Sequence, residues 1–486
     1  MHKEILFLNF ISNLNPMKHR QILLLLIVFL GSSTPLWCQK NNIRSESHSS
    51  DSAMIRNIYN QALSNGETYE NLRYLCKEIG ARITGSSEAQ MAVEWGQRKM
   101  KEYGLEVSLQ EITVPHWERG TKEAFWIRSE KGIITKLHGL ALGGSIGTNG
   151  ILRGELVVLP SLEALKNSPK ESIEGKIVFV NQAMDEQQIQ TFKAYGGCYP
   201  LRGNGASEGA KKGALAVIIR SLGLAIDIHP HTGSMRYEEG VEQIPAAAIS
   251  TSDAEKIALY TDEHPNEQIE FIMEMDCKIL EDKTSYNVIG EIPGTSKRKK
   301  IISIGGHLDS WDTGEGAHDD GAGIVHCLEA FRILKNMKYH PKHTIRVVFF
   351  MNEENGNMGG KTYAKWVKEK KEKHVAAIES DRGGFAPRGF TCDGSEAQIK
   401  WLKSLQPLFE IYDLHVFEKG YGGVDIGPLK KEYKNIALFG FVPDSQRYFD
   451  MHHSPNDVFE NVNKRELELG AAAIASFLFL LDQQLD

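Results

Sequence analysis

The sequence predicts an α/β protein, with a mixed, mainly parallel sheet sandwiched by helices and a β-rich domain inserted into it. Three observations carry this expectation. From residue 299 onward, strand-like and helix-like stretches alternate with short connections, the pattern of parallel strands covered by helices on both faces. Between residues 133 and 275 the texture changes to short β-rich runs (GELVVL, GKIVFV, AVIIR, IPAAAIS) joined by Gly-rich loops. The chain has 486 residues, and roughly 150 residues per domain favours two or three units.

The amino-terminal stretch reads as an address. Residues 22–30 (ILLLLIVFL) are apolar throughout and preceded by Lys18, His19 and Arg20, yet the run is far short of the roughly 20 residues a membrane span needs. A secretory signal over residues 1–38 follows, with translation starting at Met17 and cleavage near Cys38 and Gln39. The mature protein is then secreted or periplasmic, without stable membrane insertion. A lipoprotein anchored through Cys38 is disfavoured, because Trp37 is a poor small-residue neighbour for a lipidated cysteine. A polar linker, expected to be disordered, covers 39–52.

Helical patterning begins near Ala53. Residues 87–103 have a Ser cap, Glu88 in the first turn and Gly104 at the stop, which predicts a helix. Residues 105–114 alternate as a strand, and the Gly-rich segment 137–150 marks a change of register. The inserted domain is placed at 133–275, so the catalytic domain comprises 53–132 plus 276–486. Its later part predicts strands at 301–305, 344–350 and 375–379, with helices at 321–337 and 360–372. Ile324, Leu328, Phe331 and Leu334 share one face of the first of these helices.

Composition narrows the function classes. With 41% hydrophobic, 9% aromatic and 24% charged residues, the chain is an ordinary globular protein. Its 56 basic and 63 acidic residues give a net charge of −7, and without a basic stripe nucleic acid is excluded as the main partner. The cysteines show no CxxC spacing, which argues against a structural zinc knot. One disulfide among the five that remain after signal removal is allowed but not demanded, and Cys327 fits a core position.

Polar residues collect at the predicted strand ends: HLDSWDTGEGAHDDGAG, MNEENGNMGG, ESDRGG and MHHSPND. In an open α/β sheet that edge is where chemistry sits. Each motif alone is weak, but carboxylates gathered at one edge repel one another and are costly to bury unless a cation neutralises them. Imidazole and carboxylate without thiolate favour zinc, cobalt or manganese. No GxSxG elbow and no Walker loop occurs, so the common serine-hydrolase and phosphate-cradle readings fall away.

In order and spacing these segments resemble the co-catalytic zinc exopeptidases of the aminopeptidase and glutamate carboxypeptidase type. The ESD and HHS details resemble the carboxypeptidase Q (plasma glutamate carboxypeptidase) branch, and residues 173–252 resemble a protease-associated domain. The resemblance implies two zinc ions per chain. His307 and Asp381 would serve one, Glu354 and His453 the other, and Asp319 would bridge them. Glu353 would be the general base acting on a water activated by both metals, and Asp309 would accept the second ring N–H of His307. Asp457 is offered the same task for His453. His452 either donates to the developing oxyanion or merely packs. Gly422, Gly423 and Asp425, in YGGVDIGPL, are read as a substrate wall. The implied activity is hydrolysis of dipeptides or short peptides by a homodimer. The alternatives are an aminopeptidase on longer peptides, a non-catalytic binding protein of the same fold, and acyl transfer such as glutamine cyclisation.

Overall fold

The computed structural model describes the backbone of residues 36–485 and side chains from residue 50 to 485. The apolar run 22–30 and the expected start at Met17 lie outside the described residues, as does the Cys38 side chain. The chain divides into residues Met1–Met54 and Ile55–Asp486. The described part of the first belongs to the helix Leu36–Asn65. That helix takes in the whole polar stretch 39–52 expected to be disordered. It contains neither Gly nor Pro, so nothing in the backbone chemistry breaks it. No helix among the described residues is long and apolar enough to cross a membrane.

Within Ile55–Asp486 the main sheet has eight strands, in the spatial order Glu106–Glu118, Lys278–Ile292, His343–Phe350, Lys297–His307, Lys373–Glu379, Ala437–Pro443, Pro387–Asp393 and Val416–Lys419. The strands His343–Phe350, Lys297–His307, Lys373–Glu379 and Ala437–Pro443 run parallel, and antiparallel neighbours flank them. Every residue of His343–Phe350 is buried, as a strand covered on both faces requires. Val348 faces a cluster with Tyr363, Ala364 and Val367 of the helix Met358–Glu369. Its neighbour Phe349 faces the other way, stacking on Trp95 of the helix Ser87–Glu102. The predicted elements are present with ends shifted by a few residues. The helix Ala322–Asn336 is buried on every side through Leu334, and the helix Lys464–Gln484 packs against it with Gly470 on the His326 ring.

A second eight-stranded sheet takes all its strands from residues 123–275, between the two paired strands Glu106–Glu118 and Lys278–Ile292 of the main sheet. The runs GKIVFV, AVIIR and IPAAAIS become Ile177–Val180, Ala216–Arg220 and Ala246–Ile249, three consecutive parallel neighbours within it. The helix Thr191–Lys211 packs on Ala216–Arg220. Cys76, Cys198, Cys277, Cys327 and Cys392 are all free and buried.

Candidate active site

The carboxyl ends of the parallel strands converge on one cluster. His307 is the last residue of Lys297–His307, Glu353 and Glu354 follow His343–Phe350, and Asp381 stands two residues past Lys373–Glu379. His452 and His453 come from the loop after Ala437–Pro443. Asp319 lies in the irregular turn Ala317–Gly321 that opens the helix Ala322–Asn336.

Asp319 sits between the two histidines. Its Oδ1 is 3.1 Å from His307 Nε2, and its Oδ2 is 3.2 Å from His453 Nε2. His307 Nε2 also lies 3.6 Å from Asp381 Oδ1, and His453 Nε2 lies 3.0 Å from Glu354 Oε2. The five residues expected to hold metal are thus brought together in two groups sharing one carboxylate. Donor atoms of His307, Asp319 and Glu354 could hold an ion between them, as could those of Asp319, His452 and His453, and of His307, Asp320 and Asp381.

The electrostatics of the chain alone call for positive charge here. Burial would lower the pKa of His307, but Asp319 and Asp381 outweigh it and hold the ring well above the usual imidazole range. Burial raises Glu353 well above the usual carboxylate value, and negative Asp381, Glu354 and Asp425 push the same way. Glu354 is raised by burial and by Asp319. Two buried oxygens, Asp319 Oδ2 and Glu354 Oε1, have no hydrogen bond. Since buried polar atoms are ordinarily satisfied, these orphans and the N/O donor set fit divalent cations.

Two orienting roles fall to other atoms. The acceptor facing His307 Nδ1 is the backbone carbonyl of Asp309, at 3.0 Å, while the carboxylate stands 3.8 Å away. That carboxylate is occupied: it accepts from the Asn352, Glu353 and Glu354 N–H groups at 2.7, 3.1 and 3.3 Å and from the Thr84 hydroxyl at 2.9 Å. Asp309 therefore clamps the Glu353–Glu354 turn. Asp457 does not reach His453. It accepts from the backbone of His318 at 2.6 Å and Asp319 at 3.1 Å, and so fixes the turn that carries Asp319. His453 is served by the second sheet's loops: its Nδ1 lies 3.3 Å from the Thr232 carbonyl, and the Thr232 N–H donates to the His453 carbonyl at 2.9 Å. This backbone pairing holds His453 at φ 61°, a left-handed conformation that a residue with a side chain adopts only under local constraint.

Beside the cluster lies a cavity of about 1220 Å³, walled by Glu353, Asp381, His452, Gly422 and Gly423 and by Phe192, Tyr195, Tyr199 and Arg202 from the helix Thr191–Lys211. His452 stacks on His453 with ring centres 3.5 Å apart and packs edge-on against Tyr195 and Phe449. Asp425 is not in the wall. It is fully buried, with one oxygen 3.3 Å from Asn357 Nδ2 and the other without a partner. Gly423 has a packing reason to be glycine, since a Cβ there would lie 2.1 Å from the Glu379 carboxylate carbon. Glu379 in turn accepts from Val424 and Ile426 N–H at 2.6 and 2.8 Å.

Sequence reasoning missed Thr84, Thr232, Arg202, Trp311 and Asp320. Asp320 stood in plain view in the DDG motif; its oxygens accept from His307 N–H and Gly323 N–H. Trp311, within HLDSWD, tilts over His453 at 5.7 Å. Thr232 and Arg202 carried no local signal.

Comparison with known proteins places this geometry in context. The model of peptidase family M28 matches residues 287–478. Carboxypeptidase Q of Bos taurus is 32% identical over 426 residues, covering 87% of this chain and 86% of that protein. The crystal structure of a peptidase M28 precursor from Shewanella amazonensis superposes with a TM-score of 0.84 at 33% identity, covering 90% of this chain and 97% of the other. A zinc aminopeptidase from Bacillus subtilis, at 20% identity, a TM-score of 0.61 and coverage of 86% and 96%, shares the fold.

Proposed function

The chain belongs to peptidase family M28 and is a metallopeptidase, and we propose that it is a secreted or periplasmic zinc exopeptidase, similar to carboxypeptidase Q, acting on dipeptides and short peptides. The observation that carries this reading is Asp319 shared between His307 and His453, 3.1 and 3.2 Å away, with Asp381 and Glu354 on the two outer flanks.

His307 and Asp381 would hold one zinc ion, Glu354 and His453 the second, and Asp319 both. When bound, such a pair polarises the scissile carbonyl and activates the attacking water. Glu353 takes the proton from that water and passes it to the leaving amine. Two facts support the assignment: its backbone is clamped by Asp309, and its carboxyl stands in the cavity wall. His452, in the same wall, donates to the developing oxyanion. Gly422 and Gly423 line the substrate side, with Asp425 supporting their loop from behind. The segment 123–275, which starts ten residues before the 133 expected from sequence because the strand Glu123–Arg128 belongs to the second sheet, is an inserted protease-associated-like domain within a catalytic domain of 53–122 plus 276–486, and the protein works as a homodimer.

The test uses the purified chain. Metals are counted per chain by mass spectrometry, and amino-acid release is followed from a panel of dipeptides and longer peptides by wild type and by Glu353→Gln. Near two zinc ions in both proteins is expected, with the variant slower by about 10²- to 10⁴-fold. Neither metal nor release from any peptide would overturn the enzyme reading in favour of a binding protein. Release from the free amino end of long peptides alone would make it an aminopeptidase.

A further inference from the structure

The edge of the main sheet opposite the candidate active site is strongly basic. The strands Lys297–His307, His343–Phe350, Lys373–Glu379 and Ala437–Pro443 run parallel, so their amino ends gather at one edge together with the turns that feed them. Those turns and strand starts, residues 297–300, 337–342, 370–373 and 431–436, hold ten lysines and one arginine against two glutamates. Both glutamates are engaged, Glu372 by Arg346 at 2.8 Å and Glu432 by Lys368. Among the described residues Arg298, Lys299, Lys300, Lys338, Lys371 and Lys373 form no ion pair. The linear sequence shows no basic stripe, and folding assembles this one from four separate segments.

Part of this charge has a structural reason. Lys338, Lys370 and Lys371 follow the carboxyl ends of the helices Ala322–Asn336 and Met358–Glu369, where the helix dipole favours cations. Lys299, Lys300 and Lys373 have no such reason. They stand in the first residues of strands inside the sheet, so they do not guard an exposed edge strand. Lys300 and Lys373 are register partners on neighbouring strands, like charges side by side where an opposite pair would stabilise. The edge is also insulated from the net charge of −7. Lys300 and His307 lie on one strand, separated by about 23 Å at about 3.3 Å per residue, nearly three times the roughly 8 Å screening length at physiological salt. The acidic cluster around Asp319 therefore does not neutralise it.

The chemistry of the edge selects among anionic partners. Its cations are lysines with a single arginine, compact hydrated point charges on flexible stems, suited to a diffuse layer of phosphates more than to one fixed phosphate geometry. Single-stranded nucleic acid needs open aromatic faces on which bases stack. The rings near this edge are occupied: Lys370 and Arg346 lie over Trp366 at 4.0 and 5.3 Å from its centre, and the Tyr433 hydroxyl donates to the Glu372 carbonyl at 3.0 Å. We propose that this basic edge docks the protein on a membrane surface bearing anionic phospholipids. The parallel strands then point their carboxyl ends, and the cavity beside them, away from the lipid into solution. The inference goes beyond the peptidase reading and stands or falls separately from it.

The experiment sediments the purified chain with vesicles, either of phosphatidylcholine alone or of roughly three parts phosphatidylcholine to one part phosphatidylglycerol. Wild type is compared with the combined variant Lys299→Gln, Lys300→Gln, Lys373→Gln. A control, Lys131→Gln, Lys136→Gln, Lys166→Gln, removes as many exposed lysines from the segment 123–275. Wild type should bind only the vesicles with phosphatidylglycerol and should release as salt rises from about 0.05 to 0.5 M. Each lysine near an anionic surface contributes about fivefold in partitioning, so the edge variant should bind about 100-fold more weakly and the control within about threefold of wild type. Binding that ignores phosphatidylglycerol or salt would overturn the proposal. Equal weakening of both variants would reduce the effect to overall charge and overturn it too. The same proteins are titrated with single-stranded and duplex oligonucleotides, where tighter, edge-dependent binding would make this a nucleic-acid surface and overturn the lipid assignment. Thermal unfolding of the edge variant should come no earlier than in wild type, since the substitutions relieve repulsion between Lys300 and Lys373. A marked fall would show that these lysines hold the fold and would overturn the premise that they are free for a partner.

Discussion

Replacing Asp309 by Asn tests whether its carboxylate clamps the Glu353–Glu354 turn or orients His307. In the fold, Oδ1 accepts from Asn352 and Glu353 N–H at 2.7 and 3.1 Å, and Oδ2 accepts from Glu354 N–H and the Thr84 hydroxyl at 3.3 and 2.9 Å. An Asn amide can present its oxygen to only one pair. With the oxygen facing Asn352 and Glu353, its NH₂ confronts the Glu354 N–H, donor against donor, while the Thr84 hydroxyl turns to accept. One buried hydrogen bond is lost outright, and the two retained ones lose their ionic character. Hydrogen bonds to a charged group contribute about 1.5–3 kcal/mol, and an unsatisfied buried donor costs about 1–3 kcal/mol, so the expected loss is about 4 kcal/mol. Urea unfolding of the metal-free protein measures it. His307 Nδ1 keeps its carbonyl acceptor throughout, so the damage should fall on Glu354 and not on the histidine. A variant within about 1 kcal/mol of wild type would refute the clamp.

Two further outcomes follow from other packing details. Gly143→Ala should destabilise by about 1–3 kcal/mol and weaken metal retention, because the new Cβ would lie 1.8 Å from the Trp311 ring that tilts over His453; thermal unfolding and metal content after dialysis check this. His374 is buried, and burial, followed by the nearby Arg346 charge, lowers its pKa from 6.5 to about 3. The unfolded chain therefore takes up a proton below about pH 6.5 that the fold refuses until about pH 3. The contribution is complete above 6.5 and is lost as pH falls, amounting to about 2 kcal/mol by pH 5. Buried carboxyls such as Glu329, raised to about 7 mainly by burial, act in the opposite direction, so the measurement is a difference. Between pH 7.5 and 5, wild type should lose about 2 kcal/mol more than His374→Gln in urea titrations, and identical slopes would contradict the assignment.

The outline of the site was legible because its candidate ligands lie in short motifs at strand ends, where hydrophobic alternation locates the strand and the polar run after it locates the edge. The motifs that carry His307, Asp319, Glu354, Asp381 and His453 could be placed at one edge in this way without coordinates, and the family resemblance singled out these five residues within them. What could not be read depends on where loops land. Whether Asp309 offers His307 its carboxylate or its carbonyl is decided by the path of residues 352–354, which competes for the same oxygens. Asp457 lies four residues from His453, yet it turns away because the His318 and Asp319 N–H groups point at it. The glycines of YGGVDIGPL suggest openness to substrate, whereas Gly423 is pressed against Glu379. Thr232 and Arg202 stand in a Gly-rich and an Ala-Gly-rich stretch whose local pattern speaks only of loop and helix. The helix Leu36–Asn65 shows a different limit, since polarity alone suggested disorder where helix propensity allows order.

The pairing of Thr232 with His453 spans 221 positions of the chain and sets an order of assembly. On the proposed metal scheme, His307, Asp319, Glu354 and Asp381 can be presented as soon as the main sheet has closed. The second histidine reaches its left-handed pose only when the intervening sheet has also folded and docked. Loading of the second ion should then report completion of the whole unit, and a chain whose inserted sheet is damaged should stall with one ion bound. The same tie restrains motion afterwards: a swing of the inserted sheet large enough to open the cavity would drag on a ligand. Substrates are therefore better admitted through a fixed mouth, whose width, and not the travel of a cover, limits their size.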